Sequence, residues 1–204
     1  MTPDGRTPPE PPLPETCGVA FKEWEGVCEA LAAGRQSLIL RKGGIEEGPG
    51  GFLPEHDSFW LYPTRVHQAQ QGLKPEARDG TGRGADGPDP APVALRALAV
   101  VAWVGRVDDL GRLSGLDDLH VWTAETVETR FRYRSPGLWV LGVRVYRRAD
   151  PIRLPVTPAH AGCKTWVPLD DPLPTAGLVP VLDAAAFGAQ TDRLRAALGE
   201  PSGR

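Results

Sequence analysis

The chain has 204 residues, a formal net charge of −3, 24 glycines and 22 prolines. This length suits one domain, and the slightly acidic balance excludes the global positive field of many nucleic-acid-binding proteins. No apolar run reaches the roughly 20 residues of a membrane span, and no secretory signal pattern opens the chain. We therefore expect a cytoplasmic protein without membrane contact, whose three cysteines are reduced thiols.

Glycine and proline divide the chain into segments. Residues 1–16 hold six prolines and, after Met1, only one large apolar residue, Leu13, which predicts a disordered tail. Residues 72–92 are rich in both breakers and predict a flexible insertion. The composition thus predicts a single domain over 17–170, followed by a proline-rich bridge and a C-terminal helix over 171–204.

The first part of the domain predicts a helix, two short strands and a second helix. The first helix has an apolar face at the helical period, with Gly34 placed to end it; the face consists of Phe21, Trp24, Cys28 and Leu31. Strands are predicted at 37–42 and 58–62, and a short helix at 64–71.

The second part begins with an entirely apolar run at 97–104, which is typical of a strand buried on both faces. A helical turn is predicted at 108–113, and Thr123 is a suitable N-cap for a further helix. Alternation in the sequence RFRYR predicts a strand at 130–134.

The longest predicted strand is 138–146, and a strand at 164–169 is expected to close the sheet. Asp183 begins a last helix with one apolar side, formed by Phe187, Thr191, Leu194 and Leu198. These elements predict an α+β fold, with a mixed, partly open, barrel-like sheet of five or six strands and two or three flanking helices.

Several catalytic motifs are missing from the sequence. It has no phosphate-binding P-loop, no Gly-x-Ser-x-Gly elbow, no His-Glu-x-x-His and no Glu-x-Lys of the common two-metal nucleases. Its four histidines lack zinc-site spacing except for His160-x-x-Cys163, and a zinc site needs a second pair. We therefore expect neither a metal nor a cofactor.

The segment Arg41-Lys42-Gly43-Gly44 is a candidate anion site. Two cations lead into a paired glycine turn, where backbone N–H groups can approach a phosphate or carboxylate closely. An ordinary hairpin turn with solvated charges explains the same residues equally well.

Arg144 is a second candidate because it lies within a predicted central strand, two residues before Tyr146. A charge there needs a partner or a cleft. A salt bridge to Glu23 or Glu55 is the alternative explanation.

Histidine chemistry is possible at His67, which adjoins Gln68, and more weakly at His120. Together with His56 and Glu55, His67 supports an alternative function as a metal-dependent or acid–base hydrolase. A local polyanion-binding surface is indicated by arginines between 130 and 153; the candidates are Arg130, Arg132, Arg134, Arg147 and Arg148. Exposed arginines on edge strands also protect against aggregation, so this pattern has a second explanation.

The order of several segments resembles a known family. The segments are FKEWEGVCEAL, LILRKGGIEE, FWLYPTRVHQ, HVWTAETVETRFRY, LGVRVYR and GCKTWVPL. Over about 20–169 they are similar to the bacterial and archaeal family called domain of unknown function 1802, with 72–92 as an insertion. The family has no established activity. Some members join restriction-endonuclease-like domains, so the resemblance implies a setting in DNA restriction or defence.

A looser likeness concerns LAAGRQSLILR, which resembles the opening of small ASCH and PUA-like pseudobarrels that bind RNA or modified bases. The leading hypothesis is therefore a domain that binds nucleic acid, a nucleotide or another phosphate ligand. Its predicted ligand-binding residues are Arg41, Lys42, Gly43, Gly44, Tyr62, Thr64, His67, Gln68, His120, Arg144, Tyr146 and Lys164. A protein-interaction module that presents the proline-rich tail is a third hypothesis.

Overall fold

The computed structural model describes residues 12–42, 54–65, 72–78, 92–160 and 164–200. In these ranges one sheet contains seven strands: β1 (Thr16–Trp24), β2 (Leu38–Arg41), β3 (Ser58–Thr64), β4 (Val93–Val107), β5 (Leu138–Leu154), β6 (Trp166–Pro174) and β7 (Val179–Pro180). The same described ranges hold five α-helices: α1 (Glu25–Ala32), α2 (Pro75–Arg78), α3 (Gly111–Ser114), α4 (Ala124–Arg132) and α5 (Ala184–Leu198). None of the helices described is long and apolar enough to cross a membrane.

The sheet is mixed. Its order is β2-β5-β4-β3-β1-β6, and β7 adds to β5 at Tyr146 and Arg147. Only β1 and β3 run parallel among the described pairings, with Trp24 opposite Thr64, while the other pairs are antiparallel. Consequently the carboxyl ends of β1 and β3 lie at the same end of the sheet.

The two edges of the sheet approach each other at that end. Arg41 ends the edge strand β2, and Thr165 immediately precedes the opposite edge strand β6. The Nη2 of Arg41 nevertheless lies 2.6 Å from the Oγ1 of Thr165. Curling of this kind makes the sheet barrel-like while it remains open, which confirms the predicted α+β fold and its partly open sheet. Short elements such as β7 and α2 raise the number of strands and helices above the prediction, because two to four residues carry no readable periodicity.

Apolar side chains cover both faces of the sheet. On one face, α1, α4 and α5 pack over residues such as Leu61, Ala99 and Leu141. On the other face, Trp60, Leu98 and Tyr146 belong to a second buried cluster. The long strand β4 contributes to both, as its unbroken apolar run predicts.

The predicted first helix begins later than expected. Phe21 and Trp24 belong to β1, and α1 starts only at Glu25. The prediction of one helix from Phe21 to Leu31 was therefore wrong. The first part of this segment forms a strand because its backbone pairs with both β3 and β6. The helix end is as predicted: Gly34 has φ +70°, which a residue without a Cβ adopts freely.

The predicted strand at 130–134 is also wrong. Residues 130–132 form the last turn of α4, and Tyr133 is its C-cap. The Thr123 side chain caps the helix start, and Val127 and Phe131 are buried four residues apart on its inner side. The N-cap and the apolar face stabilise a helix here more than the alternation of five residues favours a strand.

Most other elements agree with the sequence pattern. Strands occur close to all five of the other predicted ranges, with small shifts of their ends; these ranges are 37–42, 58–62, 97–104, 138–146 and 164–169. Asp183 accepts a hydrogen bond from the backbone N–H of Ala186 at the start of α5, and its predicted inner side is buried. The predicted turn at 108–113 becomes α3, whereas the helix predicted at 64–71 falls largely outside the described residues, with Thr64 in β3. The division into tail, domain, insertion and bridge stays a prediction, although α2 lies within 72–92.

Candidate ligand site at the open end of the sheet

Arg41 forms the centre of a polar cluster between the two sheet edges. Its Nε and Nη2 contact the Thr165 Oγ1 at 3.2 and 2.6 Å, and its Nη1 lies 3.5 Å from the Glu23 Oε2. Its Cζ also lies 5.2 Å from the centroid of the Phe21 ring. The Arg41 side chain keeps 18% of its surface exposed, so it can still contact a ligand.

Glu23 is the acidic member of the cluster, and only 1% of its side chain is exposed. Its Oε1 accepts a hydrogen bond from the Trp24 backbone N–H at 2.9 Å. Its Oε2 has the ion pair with Arg41 but no hydrogen-bond donor among the described residues. A carboxylate this deeply buried requires the neighbouring positive charge.

Arg130 adds a second guanidinium group, which lies over two indole rings. Its Cζ is 4.3 Å from the ring centroid of Trp24 and 5.2 Å from that of Trp122. Its Nη1 donates to the Leu40 carbonyl at 3.2 Å, which ties α4 to β2. Burial lowers the pKa of Arg130 to about 10, with Glu23 opposing and Arg41 adding to the shift, so Arg130 remains cationic at neutral pH. We call Glu23, Trp24, Arg41, Trp122, Arg130 and Thr165 the mouth site.

Lys42 is adjacent in sequence to Arg41 but has a different environment. Its Nζ donates to the carbonyls of Phe131, Ser135 and Gly137, where α4 ends. Burial, and then repulsion by Arg106, lowers the pKa of Lys42. These contacts give Lys42 a place at the helix C-terminus, where positive charge is favourable.

Tyr62 lies on the other face of the sheet, beside a buried lysine. The Nζ of Lys22 lies 5.3 Å from the Tyr62 ring centroid and donates to the His160 carbonyl at 2.5 Å. The ring of His160 lies 6.0 Å from that of Tyr62. Thr64 is also buried, opposite Trp24 in the sheet register.

Arg144 and Tyr146 are remote from the mouth site in the fold. Arg144 is only 2% exposed and donates from its Nη1 to the carbonyl of Asp183, at the start of α5. Its Cζ lies 4.8 Å from the Phe187 ring and 5.9 Å from the Tyr146 ring. The Asp183 carbonyl and two aromatic rings are thus among the contacts that hold Arg144 within the fold.

The predicted histidines are dispersed. His56 packs edge-on against Trp166 at 4.8 Å, and Glu55 beside it is exposed. His120 is buried near Lys74 and Asp117, and its ring lies 5.8 Å from that of Trp122. His67 and Gln68 lie outside the described residues, as do Gly43 and Gly44. No cluster of three or more possible metal ligands occurs in the described part of the chain.

The remaining predicted arginines do not form one group with Arg130. Arg132 is exposed and pairs with Glu128 at 2.8 Å, and Arg134 lies over the Tyr133 ring at 5.1 Å. Arg147 is exposed on β5, next to the half-buried Arg148. Lys164 is half-buried just before Thr165. Of the predicted ligand-binding and surface residues, the structure thus brings Arg41 and Arg130 together in the mouth site, and Arg144 and Tyr146 together at a separate place.

Sequence reasoning missed Glu23, Trp24 and Thr165 as members of the site, and predicted for Trp122 only a role in the core. One signal was available. Lys22 and Glu23 are adjacent charges within a segment that is otherwise apolar or aromatic, and such charges require partners when they are buried.

The fold and the mouth site define a small α+β domain with an open, curled sheet and a cationic, tryptophan-lined end. The chain belongs to the family described as "Domain of unknown function (DUF1802)", whose model matches residues 20–193. This confirms the family resemblance read from the sequence.

Among solved structures, the chain is similar to the ASCH protein of Zymomonas mobilis, at 13% identity and a TM-score of 0.41, covering 87% of this chain and 93% of that one. It is likewise similar to a serine-to-alanine variant of that protein, at 13% identity and a TM-score of 0.40, covering 90% of this chain and 98% of that one. A tyrosine-to-phenylalanine variant of the same protein matches at 12% identity and a TM-score of 0.40, with 87% and 96% covered. No curated protein matches this chain.

Proposed function

We propose that the mouth site binds a nucleic-acid strand or a nucleotide. Phosphate contacts Arg41 and Arg130, and a base stacks on the exposed part of Trp24. The ligand enters between the two sheet edges, where Arg41 approaches Thr165.

The observation that carries this proposal is an excess of positive charge. Arg41 and Arg130 share Glu23, and no other carboxylate of the described residues contacts either of them. A guanidinium group removed from water needs a counter-charge, and one carboxylate balances only one of the two. A phosphate supplies the missing charge and matches the planar fork of arginine.

The tryptophan rings favour a nucleic acid over a simple inorganic anion. Trp24 is half-buried at the end of β1, and its ring already holds the Arg130 guanidinium at 4.3 Å. Bases stack on such rings with about 1–3 kcal/mol each, with little dependence on sequence. The combination of cation and exposed aromatic surface therefore suits single strands.

Other predicted contacts extend this proposal without carrying it. The turn predicted at Gly43-Gly44 and Lys164 would follow the phosphate backbone beyond Arg41, and Arg132 and Arg134 would continue the path beyond Arg130. A role in DNA restriction or defence would make the ligand DNA. For that reason the test compares DNA with RNA.

The test is a fluorescence-polarisation titration at low salt with labelled single-stranded DNA, single-stranded RNA and duplex DNA. We expect Arg41→Gln to lose about 1.5–3 kcal/mol of binding, or about 10- to 150-fold in Kd, as one charge-assisted contact disappears. Arg41→Lys keeps the charge beside Glu23 but removes the fork, and should give an intermediate loss.

The matched control is Arg193→Gln, because Arg193 is an exposed arginine of α5 that pairs with Asp118. It should leave binding unchanged. Absence of binding at low salt, where phosphate contacts are strongest, would refute the proposal. An equal loss in the Arg193 and Arg41 variants would reduce the interaction to nonspecific charge attraction and would also contradict it.

A further inference from the structure

A cavity of about 290 Å³ lies between helix α1 and strands β3, β4 and β5. Its volume is near the lower end of the range for small-molecule sites. None of the mouth-site residues lines it. The cavity is therefore a separate feature of the fold, to which the proposed function assigns no role.

The sheet wall of the cavity carries three arginines from three parts of the sheet. Arg65 follows β3, Arg96 belongs to β4 and Arg153 belongs to β5, where it pairs with Ala94. Their convergence brings three positive charges to one wall.

The pairing of β4 with β5 is irregular beside Arg96. Leu95 pairs with Ile152 and Ala97 pairs with Arg147, so two steps along β4 face five steps along β5. In a regular strand, Arg96 and Ala97 would point to opposite faces. Here both line the cavity, because the irregular pairing interrupts the alternation of side chains along β4.

Only one of the three arginines has a carboxylate partner in the described structure. Arg65 binds Glu25 with two hydrogen bonds, of 2.8 and 2.9 Å. Arg96 and Arg153 have no hydrogen bond or ion pair with any described residue, and both are exposed at the cavity rim. Two guanidinium forks are thus available for one oxyanion.

The rest of the cavity has a different character. Cys28, Ala32, Leu61 and Ala97 provide an apolar lining, and Glu29 of α1 stands on the helix wall. Burial, followed by repulsion from Glu25, raises the pKa of Glu29, whereas Arg35, Arg96 and Arg65 oppose this shift. A ligand with an oxyanion at one end and a hydrogen-bond donor at the other would satisfy both walls.

We propose that this cavity is a second binding site, for a small organic molecule with a terminal phosphate or carboxylate. The oxyanion binds Arg96 and Arg153, the body of the ligand packs on the apolar lining, and a donor group such as an amine faces Glu29. The phosphate and the carboxylate are two sources of the same oxyanion chemistry, and the experiment separates them.

The experiment measures the melting temperature of the full chain with increasing ligand, since a ligand that binds the folded state raises it. Adenosine 5′-monophosphate represents the phosphate and L-tryptophan the carboxylate. Adenosine and L-tryptophanamide are their counterparts without the oxyanion. We expect a saturable rise with at least one of the two anions and a loss of more than tenfold in affinity for its counterpart.

Three variants locate the binding. The double variant Arg96→Gln/Arg153→Gln should abolish the rise, and Ala94→Leu should also weaken it because the added side chain occupies the cavity while all charges remain. Arg106→Gln removes an exposed arginine elsewhere on β4 and should have no effect.

The mouth-site variant Arg41→Gln distinguishes the two proposals and should keep the response. The cavity proposal is overturned if neither anion gives a saturable rise, or if the double variant responds like the natural chain. It is also overturned if Arg41→Gln alone removes the response, which would place the ligand in the mouth site and leave the proposed function intact.

Discussion

His120 makes the stability of the fold dependent on pH. Only 4% of the residue is exposed, and its Nδ1 has no hydrogen-bond partner among the described residues. Burial lowers the pKa of His120 from 6.5 to about 4, and the positive charge of Lys74 adds to this effect while Asp117 opposes it. The folded protein therefore holds this imidazole neutral at pH values where the unfolded chain protonates it.

The sign and the size of the effect follow from this difference in pKa. Well above pH 6.5 the imidazole is neutral in both states, and this contribution to stability is complete. As the pH falls from 6.5 toward about 4, the unfolded chain binds a proton that the folded protein does not, and stability is lost. At 1.36 kcal/mol per unit of pKa difference, the full loss of stability is about 3 kcal/mol. About 1.4 kcal/mol of this has been lost by about pH 5.5.

The assay is urea denaturation of the natural chain and of His120→Gln at several pH values between about 7.5 and 5. Substitution costs stability at every pH because it changes a buried side chain, but the cost should shrink as the pH falls, since glutamine does not titrate. The difference between the two proteins cancels the carboxylates, which titrate in both. A difference that stays constant across this range would refute the reasoning.

Two further predictions concern packing and capping. Gly142→Ala should destabilise the fold by about 1–3 kcal/mol in urea denaturation, because its Cβ would lie 2.6 Å from the Leu194 Cδ2 and 3.3 Å from the Trp103 Cβ. In Gly142→Ala/Leu194→Ala the combined loss should be smaller than the sum of the single losses, and strict additivity would contradict the contact. Thr123→Ala should cost about 1 kcal/mol, because the Thr123 Oγ1 accepts the Thr126 N–H and donates to the Gly72 carbonyl. Thr123→Ser keeps these bonds and serves as control, so an equal loss in both variants would assign the effect to the lost methyl group.

The elements that the sequence predicted well have a strong local cause. The apolar run at 97–104 lies within β4. The side chains of β4 pack into both buried clusters, one on each face of the sheet, so a continuous apolar run suits this strand. Thr123 and Asp183 each satisfy a backbone N–H at a helix start, so their residue type indicated a boundary. The segment that contains Phe21 was assigned to a helix because Phe21 and Trp24 continue the helical spacing of Cys28 and Leu31. Only the pairing with β3 and β6 makes Phe21 and Trp24 part of a strand.

The mouth site could not be predicted as a unit, because it depends on contacts between distant residues. Arg41 and Thr165 are 124 positions apart and meet only after the sheet has curled. In the sequence, Arg41 and Lys42 were equally good candidates for an anion site. Lys42 instead donates to three carbonyls at the end of α4, whereas Arg41 faces Glu23.

Arg130 is a second residue whose place in the mouth site could not be predicted from the sequence. Alternation in RFRYR placed it on an exposed arginine face, together with Arg132 and Arg134. In the helix that forms, Arg130 instead lies over Trp24 and Trp122, while Arg132 pairs with Glu128 on the solvent side. The arginine pattern thus identified a region rich in positive charge, but only the turn of the helix determines which charge enters the mouth site. This is why Arg41 and Arg130, rather than the number of arginines, carry the proposed function.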